Sequence, residues 1–404
     1  MQAAGVDALL VLQPENFQYV TGVGAGVAAL FRRAGAALAL IPADADAPAA
    51  AIVSDHALAG FKARSPIRDV RSHTIWVESI ALDAPLQAGD LAPQVLRANR
   101  AAGRAGGFSR PETFSWDQVL GLLDDLLRER GLLGASLGME LNWLAVADYE
   151  SLCLRFPGVR WVNVSRLIDE LRMIKSPAEI GLLEQGAQIA EAGIRHLVER
   201  TEEGRSRDEL AQFWRDGAQQ EAARRGVLTM KSAWEYISVG PDPWGPGANV
   251  QRGDIIKVDV GCVLAGYSSD SARTFAFQTA HPAAQQVHAA LRGAFDAGLS
   301  LLAPGRRMAE VHQAATRAMH AAGFSDFSRG HFGHGLGQNV FSEEWPFLSA
   351  SSDVELQAGM VLAFETPYYI KGLGGFIIED QFLITEYGHR CMNDMPRELR
   401  VIGN

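Results

Sequence analysis

IKVDVGCVLAGYSSDSARTF, residues 256–275, sets two aspartates, Asp259 and Asp270, eleven residues apart, each beside β-prone residues and with a glycine-containing turn between them. The pattern predicts a β-hairpin. Alternation with a period of two turns Asp259 away from Val258 and Val260, so one face of the strand is apolar and the other carries an acid. Standing alone, such an acid fits a solvated strand face as well as a functional one.

It does not stand alone. MVLAFETPYYIKGLGGFIIEDQFLIT, residues 360–385, predicts a second hairpin with Glu365 and Glu379 fourteen residues apart, each inside an apolar run. Ionised carboxylates in such strands are costly to desolvate without partners. Two of them 4 Å apart repel by about 4 kcal/mol at an effective dielectric of 20. Lys257, Arg273 and Lys371 do not balance four converging acids, whereas two divalent cations do so charge for charge. Between the hairpins, GHFGHGLGQNVFSEEW, residues 330–345, places His331 and His334 among glycines ahead of Glu343 and Glu344. His334 supplies the single nitrogen ligand in this reading. Four carboxylates and one imidazole, with no thiolate, suit Mn²⁺, Co²⁺ or Zn²⁺ better than a structural zinc. Two ions ~3.5–4 Å apart would share a water, lower its pKa and clamp a hydrolytic transition state.

At 404 residues the chain predicts two domains, each able to bury a core. A net charge of −10 argues against nucleic acid or an anionic membrane as the main partner. Cys153, Cys262 and Cys391 have no CxxC spacing, which excludes a disulfide framework or zinc knuckle and fits a reducing cytoplasm. The opening MQAAGVDALLVLQPEN has no basic segment before its apolar run, and Asp7 interrupts it, so no signal peptide is expected. No segment approaches the ~18 uninterrupted apolar residues of a membrane helix.

VDALLVLQ (6–13), AALALIP (36–42), AAIVSD (50–55), SLGMEL (136–141) and VRWVNV (159–164) read as strands, and SWDQVLGLLDDLLRERG (115–131) as an amphipathic helix. Residues 1–167 are therefore expected to form an α/β domain. Ser176, Pro177 and Glu179 supply an N-cap, an N1 proline and a capping-box acid, and Ser206 with Glu209 repeats that spacing. These helices open a second domain, 168–404. GPDPWGPGANVQRGD, 240–254, is too rich in Gly and Pro for a regular element.

The ordered acids and histidine, in the settings VDVG, GYSSDSARTF, GHGLG, FETP and IIED, resemble the pita-bread metallopeptidases: methionine aminopeptidase, aminopeptidase P, Xaa-Pro dipeptidase (prolidase) and creatinase. VDALLVLQPENFQYVTG resembles the amino-terminal domain of the prolidase and creatinase branch, and LRMIKSPAEI its junction helix. The resemblance implies an α/β (α+β) protein: a C-terminal pita-bread catalytic domain preceded by a smaller α/β creatinase-type domain. It also implies a homodimer. By the same resemblance Asp259 chelates one ion, Asp270 and Glu379 bridge both, and His334 with Glu365 completes the other. A hydroxide bridging the metals attacks the scissile carbonyl, with Glu365 as general base and His331 as a catalytic helper or a merely structural histidine. The implied activity is hydrolysis of the Xaa-Pro imide bond in dipeptides. The alternatives are an aminopeptidase P acting on longer peptides, a non-peptidase C–N hydrolase on the same scaffold, or a non-catalytic binding module.

Several family positions differ. Phe341 stands where a histidine usually follows the ligand by seven residues, and Pro241 and Asp242 where another usually precedes the first aspartate. Ile377 replaces an arginine two residues before Glu379, and no Arg or Lys lies between His334 and Glu365. Substitute donors to an oxyanion are sought in His331, Tyr368 and Tyr369, and a cation for a substrate carboxylate in Arg273, Arg329 or Lys371. Trp244 and Trp345 are read either as substrate-packing walls or as ordinary anchors.

Overall fold

Aliphatic runs bounded by turn formers become strands early in the chain. They are β1 (Ala8–Val11), β2 (Leu38–Pro42), β3 (Ala50–Ser54), β4 (Asp69–His73), β5 (Ser136–Met139) and β6 (Arg160–Asn163). The computed structural model describes residues 1–27, 35–82, 91–104, 106, 108–228, 230–245, 247–339 and 343–403. Its contacts divide the chain into two units, Met1–Ile168 and Asp169–Asn404.

In the first unit the strand order is β4-β3-β2-β1-β5-β6. β2 runs antiparallel to β1 and β3, while β5 is parallel to β1 and β6. Such a mixed sheet buries its central strand on both faces, which is why β1 reads as unbroken ALLV rather than as an alternation. One face packs Leu10, Leu38 and Ile52 against Val119, Leu123 and Leu126 of the helix Trp116–Glu129. The other gathers Leu9, Val53, Phe17 and Phe61. Ser115 caps that helix by accepting a bond from the Gln118 N–H at 3.2 Å.

The second unit opens with the helices Pro177–Arg200 and Arg207–Arg224, each started by the capping box legible in the sequence. They pack through Trp214, whose indole N–H donates to Ala190 O at 3.1 Å. The strands that follow are β7 (Met230–Glu235), β8 (Ser238–Val239), β9 (Ile255–Leu264), β10 (Tyr267–Ser268), β11 (Ser271–Phe277), β12 (His331–Gly335), β13 (Glu344–Ser349), β14 (Val361–Glu365), β15 (Tyr368–Ile370), β16 (Gly374–Phe376), β17 (Glu379–Ile384), β18 (His389–Cys391) and β19 (Arg400–Ile402). The path β10-β9-β11-β17-β14-β12-β13 is antiparallel throughout, and β15 pairs with β16 as a separate hairpin. Val258, Val260 and Phe275 pack against the first helix pair. Leu362, Phe364 and Phe382 pack against the helices Pro282–Leu299 and Met308–Ala321. The curled antiparallel sheet with its helices is the expected pita-bread arrangement, preceded by the creatinase-type α/β unit.

Candidate active site

The register of the second sheet puts the acids in one line. Asp259 of β9 lies opposite Ala272 of β11, Ala272 opposite Glu379 of β17, and Glu379 opposite Glu365 of β14. Asp270 precedes Ala272 by two residues, and His334 of β12 lies opposite Ala363, two residues before Glu365. Even offsets keep side chains on one face of a sheet, so all five sequence-identified residues point the same way. Ala272, in the middle of the row, puts only a methyl group on that face.

Asp270, His334 and Glu379 come closest. Each brings one ligand atom within 4.8 Å of the other two, and all three are buried. The His334 Nδ1–H donates to Gly335 O at 3.0 Å, which leaves Nε2 facing Asp270 Oδ2 at 3.4 Å. Asp270 Oδ1 is buried with no hydrogen-bond partner. Burial pushes the Asp270 carboxyl up to about 7, against the His334 hydrogen bond and with the Asp259 charge adding to the rise. Burial alone would lower His334, but the hydrogen bond and charge of Asp270, with Glu365, hold it up at about 9. Burial, then the charges of Asp270 and Glu365, raise Glu379 well above the carboxylate range, and burial likewise raises Asp259. Such a cluster holds protons unless a cation enters. The orphaned oxygen of Asp270, the Nε2 of His334 and the Glu379 carboxylate form a donor set suited to a divalent metal.

Two side-chain cations touch the edges of the cluster. Lys257 Nζ donates to Asp259 Oδ2 at 3.0 Å, and Arg329 Nη2 to Glu365 Oε1 at 2.6 Å. Arg329 also donates through Nε to His331 O at 2.7 Å. His331 Nδ1 lies 3.7 Å from Glu365 Oε1 and accepts the Gly333 N–H at 3.3 Å, which places its ring proton on Nε2. Burial lowers its pKa against the pull of Glu365.

The other proposed substitutes separate clearly. Arg273 is sealed: its guanidinium donates to Pro396 O, Ala272 O, Glu379 O, Met395 O and the Asp380 carboxylate. Lys371 is exposed, 3.4 Å from Asp242, whose Oδ1 accepts the Trp244 N–H. Of the three cations weighed for a substrate carboxylate, Arg329 is the one in contact with the site. Tyr368 packs edge-on against Phe324 and Phe327, on the face of β15 opposite to that of the next residue, Tyr369. Tyr369 faces Lys257, with the ammonium 5.7 Å from its ring centroid, and burial pushes its phenol up to about 12. Trp244 lies 4.4 Å from Tyr369, ring to ring, and both line a cleft of about 330 Å³ with Tyr236, Ser238, Lys257 and Asp259. Trp345 packs on the large hydrophobic cluster instead. Glu344 is an ion-pair anchor, 2.6 Å from Arg172 and 2.9 Å from Lys175, and Ile377 is buried. Phe341 lies outside the described residues.

Comparison with known proteins assigns the family. The sequence model of metallopeptidase family M24 matches residues 181–386, and that of the Creatinase/Prolidase N-terminal domain matches 1–88 and 90–174. The chain belongs to metallopeptidase family M24. This M24 metallopeptidase is 30% identical over 266 residues to "Uncharacterized peptidase YqhT" of Bacillus subtilis, covering 66% of the chain and 75% of that protein. It is 28% identical over 237 residues to the Xaa-Pro dipeptidase of Pyrococcus furiosus, covering 59% of the chain and 68% of that protein. Its fold matches the structure of the Xaa-Pro dipeptidase from Bacillus anthracis with a TM-score of 0.77 at 21% identity, over 99% of this chain and 96% of that one. Among the described residues of the metallopeptidase, no helix is long and apolar enough to cross a membrane.

Sequence reasoning passed over the contacts of Lys257 and Arg329. The signal for Lys257 was present, since a residue two before Asp259 on a strand shares its face. Arg329 left no such signal, because it precedes β12 and its partner Glu365 comes from β14.

Proposed function

We infer that this M24 metallopeptidase hydrolyses Xaa-Pro dipeptides. The observation that carries the reading is the convergence of Asp270, His334 and Glu379 in a buried cluster flanked by Glu365 and Asp259. The named relatives that are Xaa-Pro dipeptidases support the choice of bond. The buried group Asp270, His334 and Glu379 would hold divalent metal, with Mn²⁺, Co²⁺ or Zn²⁺ matching the oxygen-rich donor set. Bound there, a divalent ion supplies Lewis-acid activation of water and of the scissile carbonyl.

The protein's own groups do the rest. Glu365 takes the proton of the attacking water and passes it to the leaving imide nitrogen. His331, 3.7 Å from that carboxylate, positions it. Tyr369 keeps its proton across the physiological range and donates a hydrogen bond to the developing oxyanion, in place of the family histidines. Trp244 and Tyr369 form an aromatic wall against which a proline ring packs.

The test is a panel of Ala-Pro, Ala-Pro-Ala and non-proline dipeptides with added Mn²⁺, Co²⁺ or Zn²⁺, run beside Asp270→Ala. Metal-dependent cleavage of Ala-Pro that vanishes in the variant is expected. Cleavage of Ala-Pro-Ala alone would make the enzyme an aminopeptidase P. Pro241 and Asp242, standing where a family histidine is usual, favour a second reading as a C–N hydrolase of another small amide. Failure to cut any peptide in the panel would select that second reading.

A further inference from the structure

Among the described residues, two of the four carboxylates in the cluster already carry a side-chain cation and two do not. Asp259 is bound by the Lys257 ammonium at 3.0 Å and Glu365 by the Arg329 guanidinium at 2.6 Å. Neither contact is a loose surface pair. Lys257 is 5% exposed, shares a strand face with Asp259, and has the Tyr369 ring over its ammonium. Arg329 is tied by a second bond to the His331 carbonyl. Among the described residues, the inner pair, Asp270 and Glu379, has no Lys or Arg contact of this kind. Asp270 Oδ1 is unpartnered, and these two acids with His334 are the group whose ligand atoms converge within 4.8 Å among the described residues.

Charge counting gives the same division. Four ionised carboxylates carry four negative charges, Lys257 and Arg329 cancel two of them, and one divalent ion cancels the remainder. A second divalent ion would leave a buried excess of positive charge and would have to share Asp259 with the ammonium held on its Oδ2. We propose, building on the metallohydrolase reading above, that Lys257 takes the place of the second cation. The chain then holds one divalent ion, at Asp270, His334 and Glu379, and Asp259 serves as the partner of Lys257 rather than as a metal ligand. This departs from the two-ion centre implied by the family resemblance. It also leaves a fixed ammonium at the wall of the cleft formed by Trp244 and Tyr369, where a second Lewis acid would otherwise stand.

Metal content tests this without reference to activity. The full chain is saturated with Mn²⁺, desalted, and measured by native mass spectrometry and elemental analysis. One ion per chain is expected in the wild type and in Lys257→Arg, and two in Lys257→Met. Electron paramagnetic resonance gives an independent reading: an isolated Mn²⁺ spectrum for the wild type and a spin-coupled pair for Lys257→Met. Two ions in the wild type, or a coupled spectrum from it, would overturn the proposal, as would a single ion in a folded Lys257→Met. If Lys257→Met fails to fold by circular dichroism, Lys257→Gln takes its place, and the wild-type spectrum still decides the stoichiometry. No bound ion in the wild type would instead sink the metal-site reading, an outcome distinct from a count of two.

Discussion

Tyr369, beside Lys257, is the donor proposed in place of the usual histidines. Its phenol is held at about 12 chiefly by burial, so it remains a donor throughout the range in which the enzyme works. Tyr369→Phe removes that donor and keeps the aromatic wall. The expected result is a kcat on Ala-Pro lower by roughly 10²-fold with KM nearly unchanged, the usual effect of deleting one oxyanion donor. An unchanged kcat would reduce Tyr369 to a wall residue. Trp244→Ala should do the reverse, raising KM with a smaller effect on kcat, because its ring is 74% exposed and contacts Tyr369 rather than the carboxylates. Steady-state kinetics on one dipeptide separate the two. Both tyrosines were legible as candidates in YYI, but which one faces the site was not. That choice rests on how β15 lies against β9, far away in the chain.

Strands and their pairing place these groups. The row Asp259, Ala272, Glu379, Glu365 exists because β9, β11, β17 and β14 pair in a register that a one-residue slip would send to the opposite face. Ala272 is therefore a spacing residue. Ala272→Val inserts two methyl groups among the acids and should abolish tight metal binding, measured by calorimetric titration, while circular dichroism stays that of the wild type. Gly333 is constrained differently. Its φ of +136° and the position of Ala363 O, 2.0 Å from where a Cβ would lie, require glycine for β12 to approach β14. Gly333→Ala should cost on the order of 1–3 kcal/mol in chemical denaturation and displace His334 from the cluster. The hairpins and capping boxes were readable because their signals are local. Strand β4 was not: DVRSH lies at the edge of the first sheet with mostly half-buried side chains, so no apolar alternation marks it.

Two units with separate hydrophobic clusters predict two unfolding steps. Bound metal should raise only the step belonging to residues 169–404, since a ligand stabilises the fold that holds it. Differential scanning calorimetry with and without Mn²⁺ checks this, and a single transition moving as a whole would refute it. The first unit has its own label. Glu140 is buried, accepts the Leu12 N–H at 3.0 Å and the Asn16 amide at 3.2 Å, and is pushed by burial from 4.5 up to about 7. Below pH 4.5 it is protonated folded and unfolded alike. Between pH 4.5 and 7 the folded unit keeps a proton that the unfolded chain releases, so this contribution to stability falls as pH rises through that window, by about 3 kcal/mol. Glu140→Gln keeps an acceptor for Leu12 and has no charge to bury. Its transition for the first unit should fall less than that of the wild type between pH 5 and pH 8.

The amino-acid order alone made readable the two-part organisation, the strands that carry the acids, and the identities of Asp259, Asp270, His334, Glu365 and Glu379. Each of those readings uses periodicity, capping or motif spacing within a few residues. Apart from Lys257, the partners of those acids could be read only from the folded chain. Lys257 shares a strand face with Asp259, but whether Arg329 neutralises Glu365, or Arg273 is locked under Asp380, depends on how segments tens of residues apart come together. Electrostatic pairing in a buried site is set by distances of a few ångströms, and these arise only when the strands have found their places.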